Sequence, residues 1–441
     1  MQATLEERFA KSAQVTELIR PRLVDITVIA EQRPRFYTFG RRVNKTPFSL
    51  HVMYYVQTLQ QNVDRHPCPM LTPSYTIPAL PPPGLEETPA VLRALAQAHR
   101  HLAELKGRAA SIPNQGILIN TLAMQEAKAS SEIENIVTTQ DELFQARAFP
   151  ENPSSPAAKE VALYADALRH GFSEQHRLDG LLTNTMIITM FQMLKRTDSG
   201  FRATPGTALK NDQTGAMVYI PPQDANEIVA HMNALEIFIN DDAIGQDGIG
   251  GRGHSDLDPL VKMAIIHHQF ESIHPFSDGN GRLGRIINVL YLTRTGLLDI
   301  PILYLSRFIT SSKADYYRLL QSVRDTGDWE PWLLYMLRGV AETAQETLRL
   351  IEAIHGLMAD FKQRLRADHA RIYSQDLLNN LFRHPYTRID YVQTELTVSR
   401  PTATKYLDEL AEGGLLTKHR IGRNNYYINQ RLVALFVDGA A

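Results

Sequence analysis

The sequence predicts a mainly α-helical chain with one small β-hairpin in its middle and a separate C-terminal module that mixes helices and strands. Three observations carry that expectation. Apolar residues recur at helical spacing through most of the chain from residue 88 onward. One short β segment, 216–220, interrupts them, and residues 371–441 change to an order of helices followed by two alternating segments.

Composition narrows the classes. With 441 residues, the chain has room for two to four domains of about 100–200 residues, each burying its own core. The hydrophobic share of 44% and charged share of 21% are those of an ordinary globular protein. Lys and Arg number 46 against 48 Asp and Glu, a formal charge of −2. That balance excludes a polyanion binder acting by bulk charge and leaves room for a local basic patch. The single cysteine, Cys68, forms no internal disulfide and excludes a thiolate metal cluster. The first residues are acidic and lack an apolar signal segment. The richest apolar runs, 186–193 and 286–292, fall well short of the roughly 18 residues needed to cross a bilayer. A cytoplasmic protein without a membrane partner is the expectation.

Residues 1–65 carry no usable pattern. From 66 to 84 seven prolines impose an extended stretch, read as an arm that packs apolar Met70, Leu71, Ile77 and Leu80 on the chain's own domain, with a recognition ligand of polyproline II type as the alternative. Thr88-Pro89 reads as an N-cap followed by proline at the first helical position, opening a helix through about 105. Further helices are expected at 115–131, 157–170, 181–195 and 224–240. Between the last two, turn residues at 210–215 precede a strand, Ala216 to Ile220, ended by Pro221-Pro222. The Gly- and Asp-rich stretch 241–258 lacks the alternating oxygen ligands and closing Glu of a calcium loop and reads as a solvated loop. Asp258-Pro259 caps a helix through about 272. After residue 285 helix follows helix to about 344, and Leu348, Ile351, Ile354, Met358, Phe361 and Leu365 continue at helical spacing toward the C-terminal module.

The chemistry concentrates in His274-Pro-Phe-Ser-Asp-Gly-Asn-Gly-Arg-Leu-Gly-Arg285. Two glycines in 278–281 break the helix, and a new helix starts near Gly281 and stops at Gly296. A Gly-rich loop running into a helix N-terminus is an anion site, because free N–H groups and the helix dipole both favour phosphate. Arg282 and Arg285, three residues apart, add charge-assisted donors on one face. Asp278 is a hard carboxylate suited to a phosphate-bound Mg²⁺, and His274 titrates in the range of a general base. Singly, His-Pro is a turn, Asp-Gly-Asn-Gly a hairpin, and the arginines a solvated face. Together, in this order, they specify nucleotidyl or phosphoryl transfer. The terminal Lys-Ser/Thr of a Walker A loop is missing.

This string resembles the Fic family motif, His-x-Phe-x-Asp/Glu-Gly-Asn-Gly-Arg-x-x-Arg, at every defined position. Fic proteins are mostly protein adenylyltransferases, which move AMP from ATP to a Ser, Thr or Tyr hydroxyl of a target protein or of themselves. The resemblance implies His274 as general base and Asp278 as the Mg²⁺ ligand. It implies an anion hole from Gly279, Asn280 and Gly281 around the α-phosphate, with Leu283 and Gly284 in the same phosphate-binding stretch. Arg282 would hold the inner phosphates, Arg285 the γ-phosphate, and Phe276 would anchor the loop. Glu271, three residues before His274, is expected to be structural. Ala216, Met217, Val218 and Tyr219 would form the family's flap, which clamps a target segment by strand addition; an ordinary surface hairpin is the alternative. Tyr316 and Tyr317 stand where the family lines its adenine pocket, with a core aromatic role equally open to either.

Upstream, Ser130-Ser-Glu-Ile-Glu134-Asn135 resembles the family's inhibitory motif, Ser/Thr-x-x-x-Glu-Gly/Asn, on a helix expected over 115–135. Glu134 would pair with Arg285 and remove the γ-phosphate's partner, so that ATP binds unproductively.

In the C-terminal module, Leu377, Leu378, Leu381 and Phe382 suggest a helix ending before Pro385. Asp390 is expected to cap a short helix over 391–396, a turn follows at Thr397-Val398, and Ser399 caps a helix through about 412. Stretches 415–419 and 425–429 alternate like two strands around Gly422. This is the order of a winged helix-turn-helix and resembles the C-terminal domain that many Fic proteins carry. Arg400 and Lys405 fall on the expected recognition helix, and Lys418, Arg420 and Arg423 in the wing. From 385 to 433 there are seven Lys and Arg against five Asp and Glu, a weak footprint for DNA. Protein recognition or homodimer contact therefore stands beside DNA binding.

The chain thus divides into an N-terminal region with the proline-rich arm (1–110), a catalytic domain (111–344), a connecting helix (345–370) and a winged helix-turn-helix (371–441). The expected activity is protein adenylylation, with ATP as substrate and Mg²⁺ as cofactor. AMP removal, transfer of another nucleotide or phosphate group, and a DNA-binding regulator that senses nucleotide are the alternatives.

Overall fold

The computed structural model describes residues 75–148, 155–210, 215–241, 257–421 and 424–437, all within one compact unit spanning 70–441. The expectations for 1–74 (including Cys68, Met70 and Leu71), for the turn at 211–214, for most of the loop at 242–256, and for Gly422 and Arg423 lie outside the described residues.

A capping side chain followed by proline sets several helix starts. Thr88 caps α1 (Pro89–Ala110), its hydroxyl accepting from the Val91 N–H at 3.3 Å. Asn114 caps α2 (Gln115–Ile133). A short helix that the sequence pattern did not announce, α3 (Gln140–Ala148), follows. Ser155 and Pro156 open α4 (Pro156–Arg177), two turns longer than its apolar spacing suggested, and Thr183 caps α5 (Asn184–Lys195), which therefore starts three residues late. The hairpin is β1 (Leu209–Lys210) against β2 (Met217–Tyr219), antiparallel and bulged, with Leu209 opposite Tyr219. Asp224 caps α6 (Ala225–Asn240).

The centre of the molecule is α7 (Pro259–Ile273) and α8 (Asn280–Arg294). Every residue of α7 from Leu260 to Ile273 is buried, as is α8 from Arg282 to Leu292. A helix buried on every face must be wrapped by others. Here α2, α4, α5, α6 and a later helix, α11 (Glu330–Asp368), surround the pair, with α9 (Leu305–Ser311) packed on α2 and α11, and α10 (Lys313–Thr326) hydrogen-bonded to α7 through Tyr316 and Leu320. The loop between α7 and α8 carries residues 274–279.

The segment expected as a connecting helix is the second half of α11. That helix runs unbroken for 39 residues, roughly 58 Å at 1.5 Å per residue. Its first half lies along α1, and its end meets the C-terminal elements, where Phe361 packs edge-on to Phe382 at 5.3 Å. Those elements are α12 (Gln375–Arg383), β3 (Tyr386–Arg388), α13 (Ile389–Leu396), α14 (Arg400–Glu412), β4 (Thr417–Ile421), β5 (Asn424–Ile428) and α15 (Gln430–Val437). The three strands form one antiparallel sheet in the order β3-β5-β4.

Three local expectations are corrected here. Arg388, not Asp390, is the N-cap of α13, and Asp390 sits in its first turn. Strand β4 starts at Thr417 rather than 415, because the Leu415 and Leu416 N–H groups turn back onto the Leu410 carbonyl at the end of α14. Strand β5 covers 424–428 rather than 425–429. β3 and α15 were not anticipated. Among the described residues, no helix is long and apolar enough to cross a membrane.

Candidate active site

The loop 274–279 is shaped by its own side chains. His274 ends α7 in the left-handed region (φ 49°), and the following Pro275 keeps it from continuing as α. Asn280, buried at the start of α8, closes the loop on itself: Phe276 N–H donates to its Oδ1 at 2.9 Å, and its Nδ2 donates to the Phe276 carbonyl at 2.8 Å. Phe276 is fully buried and stacks on Phe191 at 4.1 Å. Gly279 takes φ 76°, a conformation L side chains rarely adopt, and so lets α8 begin with its first amides facing the cleft. Arg202 fastens the loop from outside, its Nε donating to the His274 carbonyl at 2.8 Å. Desolvation, then the charges of Arg202 and Arg324, pull the His274 imidazole down to about 3, so it is neutral at physiological pH.

Arg282 and Arg285 leave the first turns of α8 almost wholly buried. Between them stands Glu134, at the C-terminus of α2. One carboxylate oxygen lies 2.5 Å from Arg282 Nε and the other 3.0 Å from Arg285 Nη2. Ser130, one turn earlier, accepts from Arg285 Nε at its hydroxyl (2.8 Å) and from Nη2 at its carbonyl (2.9 Å). Burial works against the Arg285 charge, and Glu134 together with Tyr316, Tyr164 and Tyr317 more than offsets it, holding the guanidinium above its ordinary pKa. Gly281 makes this approach feasible: a Cβ there would lie 2.8 Å from the Glu134 carboxylate and 2.9 Å from Arg285. Asn135 turns the chain away at φ 62° and accepts from Lys313 at 3.1 Å.

A cleft of about 490 Å³ opens over this cluster. Of the expected site residues it is lined by Glu134, Asn135, His274, Asp278, Gly279, Asn280, Gly281, Arg282 and Tyr317. Two further charged residues complete it. Lys195, ending α5, lies 2.6 Å from Asp278 and 3.2 Å from Glu160 of α4, and Glu160 meets Arg282 at 2.7 Å. Lys195 draws the Asp278 carboxyl below its usual range against the burial that would raise it. Among the described residues no group of three or more His, Cys, Asp or Glu side chains is set to hold a metal. One carboxylate presented to a cation, beside a phosphate cradle, fits a Mg²⁺ carried by nucleotide phosphates, which supply the other oxygens.

Three family models match the chain in series. "Fic/DOC family N-terminal" covers residues 92–173, "Fic/DOC family" 182–292, and "Protein adenylyltransferase SoFic-like, C-terminal domain" 357–432. Together the matched stretches span more than half of the chain. The chain belongs to the Fic/DOC family. Among curated relatives, it is 28% identical over 102 residues to a protein adenylyltransferase of Caenorhabditis briggsae, covering 23% of this chain and 18% of that one. It is 40% identical over 60 residues to a probable protein adenylyltransferase of Aquifex aeolicus, covering 14% and 19%. The matches thus span less than a fifth of either relative. Among solved structures, a Fic family protein from Desulfovibrio desulfuricans aligns with 20% identity and a TM-score of 0.46, covering 81% of this chain and 98% of that one.

The remaining expected Fic residues fall in three places. Leu283 and Gly284 are buried inside α8, where Gly284 leaves room for the Glu271 carboxylate. Of the two tyrosines, Tyr317 is on the cleft wall, while Tyr316 is buried behind it and meets His267 at 2.8 Å. In the hairpin, Met217 and Val218 are exposed, Ala216 precedes them, and Tyr219 points inward. Tyr219 O–H donates to the Ser272 carbonyl at 2.6 Å, and Arg324 stacks on its ring at 3.9 Å. The strand is therefore pinned to the last turn of the helix that ends in His274. In the C-terminal module, Arg400, Lys405, Lys418 and Arg420 are exposed, and Lys418 is paired with Asp408 at 2.6 Å.

Sequence reasoning missed Glu160, Lys195, Arg202 and Arg324. Each comes from an element remote in sequence, and none belongs to a local pattern. It did single out Glu271, but not its state. The side chain is buried, its Oε1 has no hydrogen-bond partner, and desolvation, reinforced by Glu134 and opposed by Arg285, raises it to about 7.

Proposed function

We propose that the chain is a Fic-type protein adenylyltransferase, held inactive by Glu134. In this reading ATP places its phosphates over the N-terminus of α8, with the α-phosphate at the amides of 279–281, the inner phosphates at Arg282 and the γ-phosphate at Arg285. A target hydroxyl, brought in along Met217 and Val218, attacks the α-phosphorus as the bond to the β-phosphate oxygen breaks. Pyrophosphate leaves, and the hydroxyl proton passes to the His274 imidazole, which is neutral in the nucleotide-free protein. Mg²⁺, held at Asp278, would offset phosphate charge. Lys195 must then yield Asp278, which keeps the loop charge-balanced until nucleotide and metal arrive.

The observation that carries the reading is the Glu134 carboxylate bridging both arginines at 2.5 and 3.0 Å. A γ-phosphate needs the donors that Glu134 occupies, so ATP binds productively only when α2 gives way. The catalytic unit is 111–344, with α2 as its inhibitory helix. ATP labelled at the α-phosphate tests the proposal. Glu134→Gly increases protein labelling, and His274→Ala abolishes it; unchanged labelling on Glu134→Gly would sink the inhibitory role.

A further inference from the structure

A second cavity lies on the other side of α2. It measures about 520 Å³ and opens between α2, α9, α11 and α15. Its walls gather hydrogen-bond donors that have no acceptor. Tyr304 is 4% exposed, and its hydroxyl finds no partner. The Gln125 Nε2, on α2, is buried and equally unpartnered. A neighbouring cavity that shares Gln125, Lys128 and Phe436 with it is lined by Gln140, 8% exposed, whose side-chain amide is unpaired at both atoms. Buried polar groups are nearly always satisfied, so the unsatisfied Tyr304 and Gln125 side chains around this cavity point to something that binds there.

Charge and shape say what it is. Lys128, Arg307 and Arg349 line the cavity against Glu132 and Glu346. The Arg307–Glu346 and Lys128–Glu132 pairs are loose, at 3.5 and 3.7 Å, and Arg349 meets no carboxylate among the described residues. Leu350, Leu435 and Phe436 make the opposite wall apolar. We propose that this cavity binds an amphipathic organic anion, whose acidic head takes hydrogen bonds from Tyr304, Gln125 and Arg349 while its apolar body rests on Leu350 and Phe436.

The site is wired to the cleft, a step that rests on Glu134 being inhibitory. Gln125, Lys128, Ala129 and Glu132 form one stripe of α2, and Ser130 and Glu134 lie on its far side. Thr310, in the cavity wall, donates to the Ala129 carbonyl at 3.1 Å, and the next carbonyl, that of Ser130, accepts from Arg285. Occupancy that shifts α2 therefore shifts the partners of Arg285.

Titration of the full chain with 1-anilinonaphthalene-8-sulfonate, with phenyl phosphate and octanoate as competitors, tests the site and separates phosphate from carboxylate heads. Saturable one-to-one binding is expected, weakened about tenfold or more by Arg349→Ala, severalfold by Tyr304→Phe, and not displaced by a non-hydrolysable ATP analogue. No saturable binding, equal affinity in both variants, or displacement by the analogue overturns the site. With the probe bound, affinity for a fluorescent ATP analogue should change by about fivefold or more, and Glu134→Ala should erase that change. Binding without any change in nucleotide affinity overturns the communication through α2 and leaves the adenylyltransferase reading untouched.

Discussion

Replacing Glu134 by alanine removes one carboxylate from two buried guanidiniums at once. Arg282 keeps Glu160 at 2.7 Å and Asp278 at 4.0 Å, whereas Arg285 keeps only the hydroxyl and carbonyl of Ser130. Breaking a buried ion pair by deleting one partner costs about 3–5 kcal/mol. The Glu134 side chain is 21% exposed on its cleft side, so water recovers part of that, and about 2–3 kcal/mol of stability is expected to be lost. In the proposed reading the same carboxylate competes with the γ-phosphate, so its removal should tighten ATP binding by about 30- to 150-fold, the equivalent of that energy. Thermal melting with and without ATP and Mg²⁺, together with a fluorescent-nucleotide titration, reads both effects. The variant should melt lower than the parent without nucleotide and gain more from ATP. Equal melting and equal ATP affinity in the two proteins would refute the bridging role.

Glu271→Gln should change how stability depends on pH. The native carboxyl holds its proton to about 7, against 4.5 in the unfolded chain. Stability from this group is therefore full below 4.5 and lost as pH rises through 7, by roughly 3 kcal/mol at most. Urea midpoints at pH 5 and pH 8 should differ less in the Gln variant; an equal difference would contradict the buried-acid assignment. The His274 ring signals should show no titration between pH 8 and pH 5 in NMR spectra of the nucleotide-free protein, because its pKa lies at about 3. A midpoint near 6.5 would place the imidazole in water instead. Lys195→Met frees Asp278 from its 2.6 Å partner and should lower the Mg²⁺ concentration for half-maximal labelling severalfold. An unchanged Mg²⁺ requirement would separate Lys195 from the proposed Mg²⁺ position at Asp278.

The loop and the helix that follows it were legible because their marker residues are contiguous. His274, Asp278 and the two arginines sit within twelve positions, where periodicity and glycine placement already say loop then helix. Glu134 was legible only as the far half of a short pattern, and its second partner, Arg282, was not. Nothing in the sequence states that α2 ends between two arginines 148 and 151 positions away. Glu160, Lys195 and Arg324 are ordinary charged residues on amphipathic helices, a class that is usually solvated; only the packing of α4, α5 and α10 around α7 and α8 turns them inward. The helices with a cap and a proline were readable to within a residue or two at their starts. β3, three residues between Pro385 and Ile389, is too short for an alternation to register. It exists because β5 supplies a partner edge.

The proposed activity is tested most directly by incubating the Glu134→Gly protein with ATP labelled at the α-phosphate, in parallel with ATP labelled at the γ-phosphate, and locating the label by mass spectrometry. An adenylyl group on a Ser, Thr or Tyr hydroxyl, carrying α label only and absent from the His274→Ala protein, is the predicted result. Protein carrying γ label, or no label under conditions where the variant binds ATP tightly, would contradict adenylyl transfer at this site.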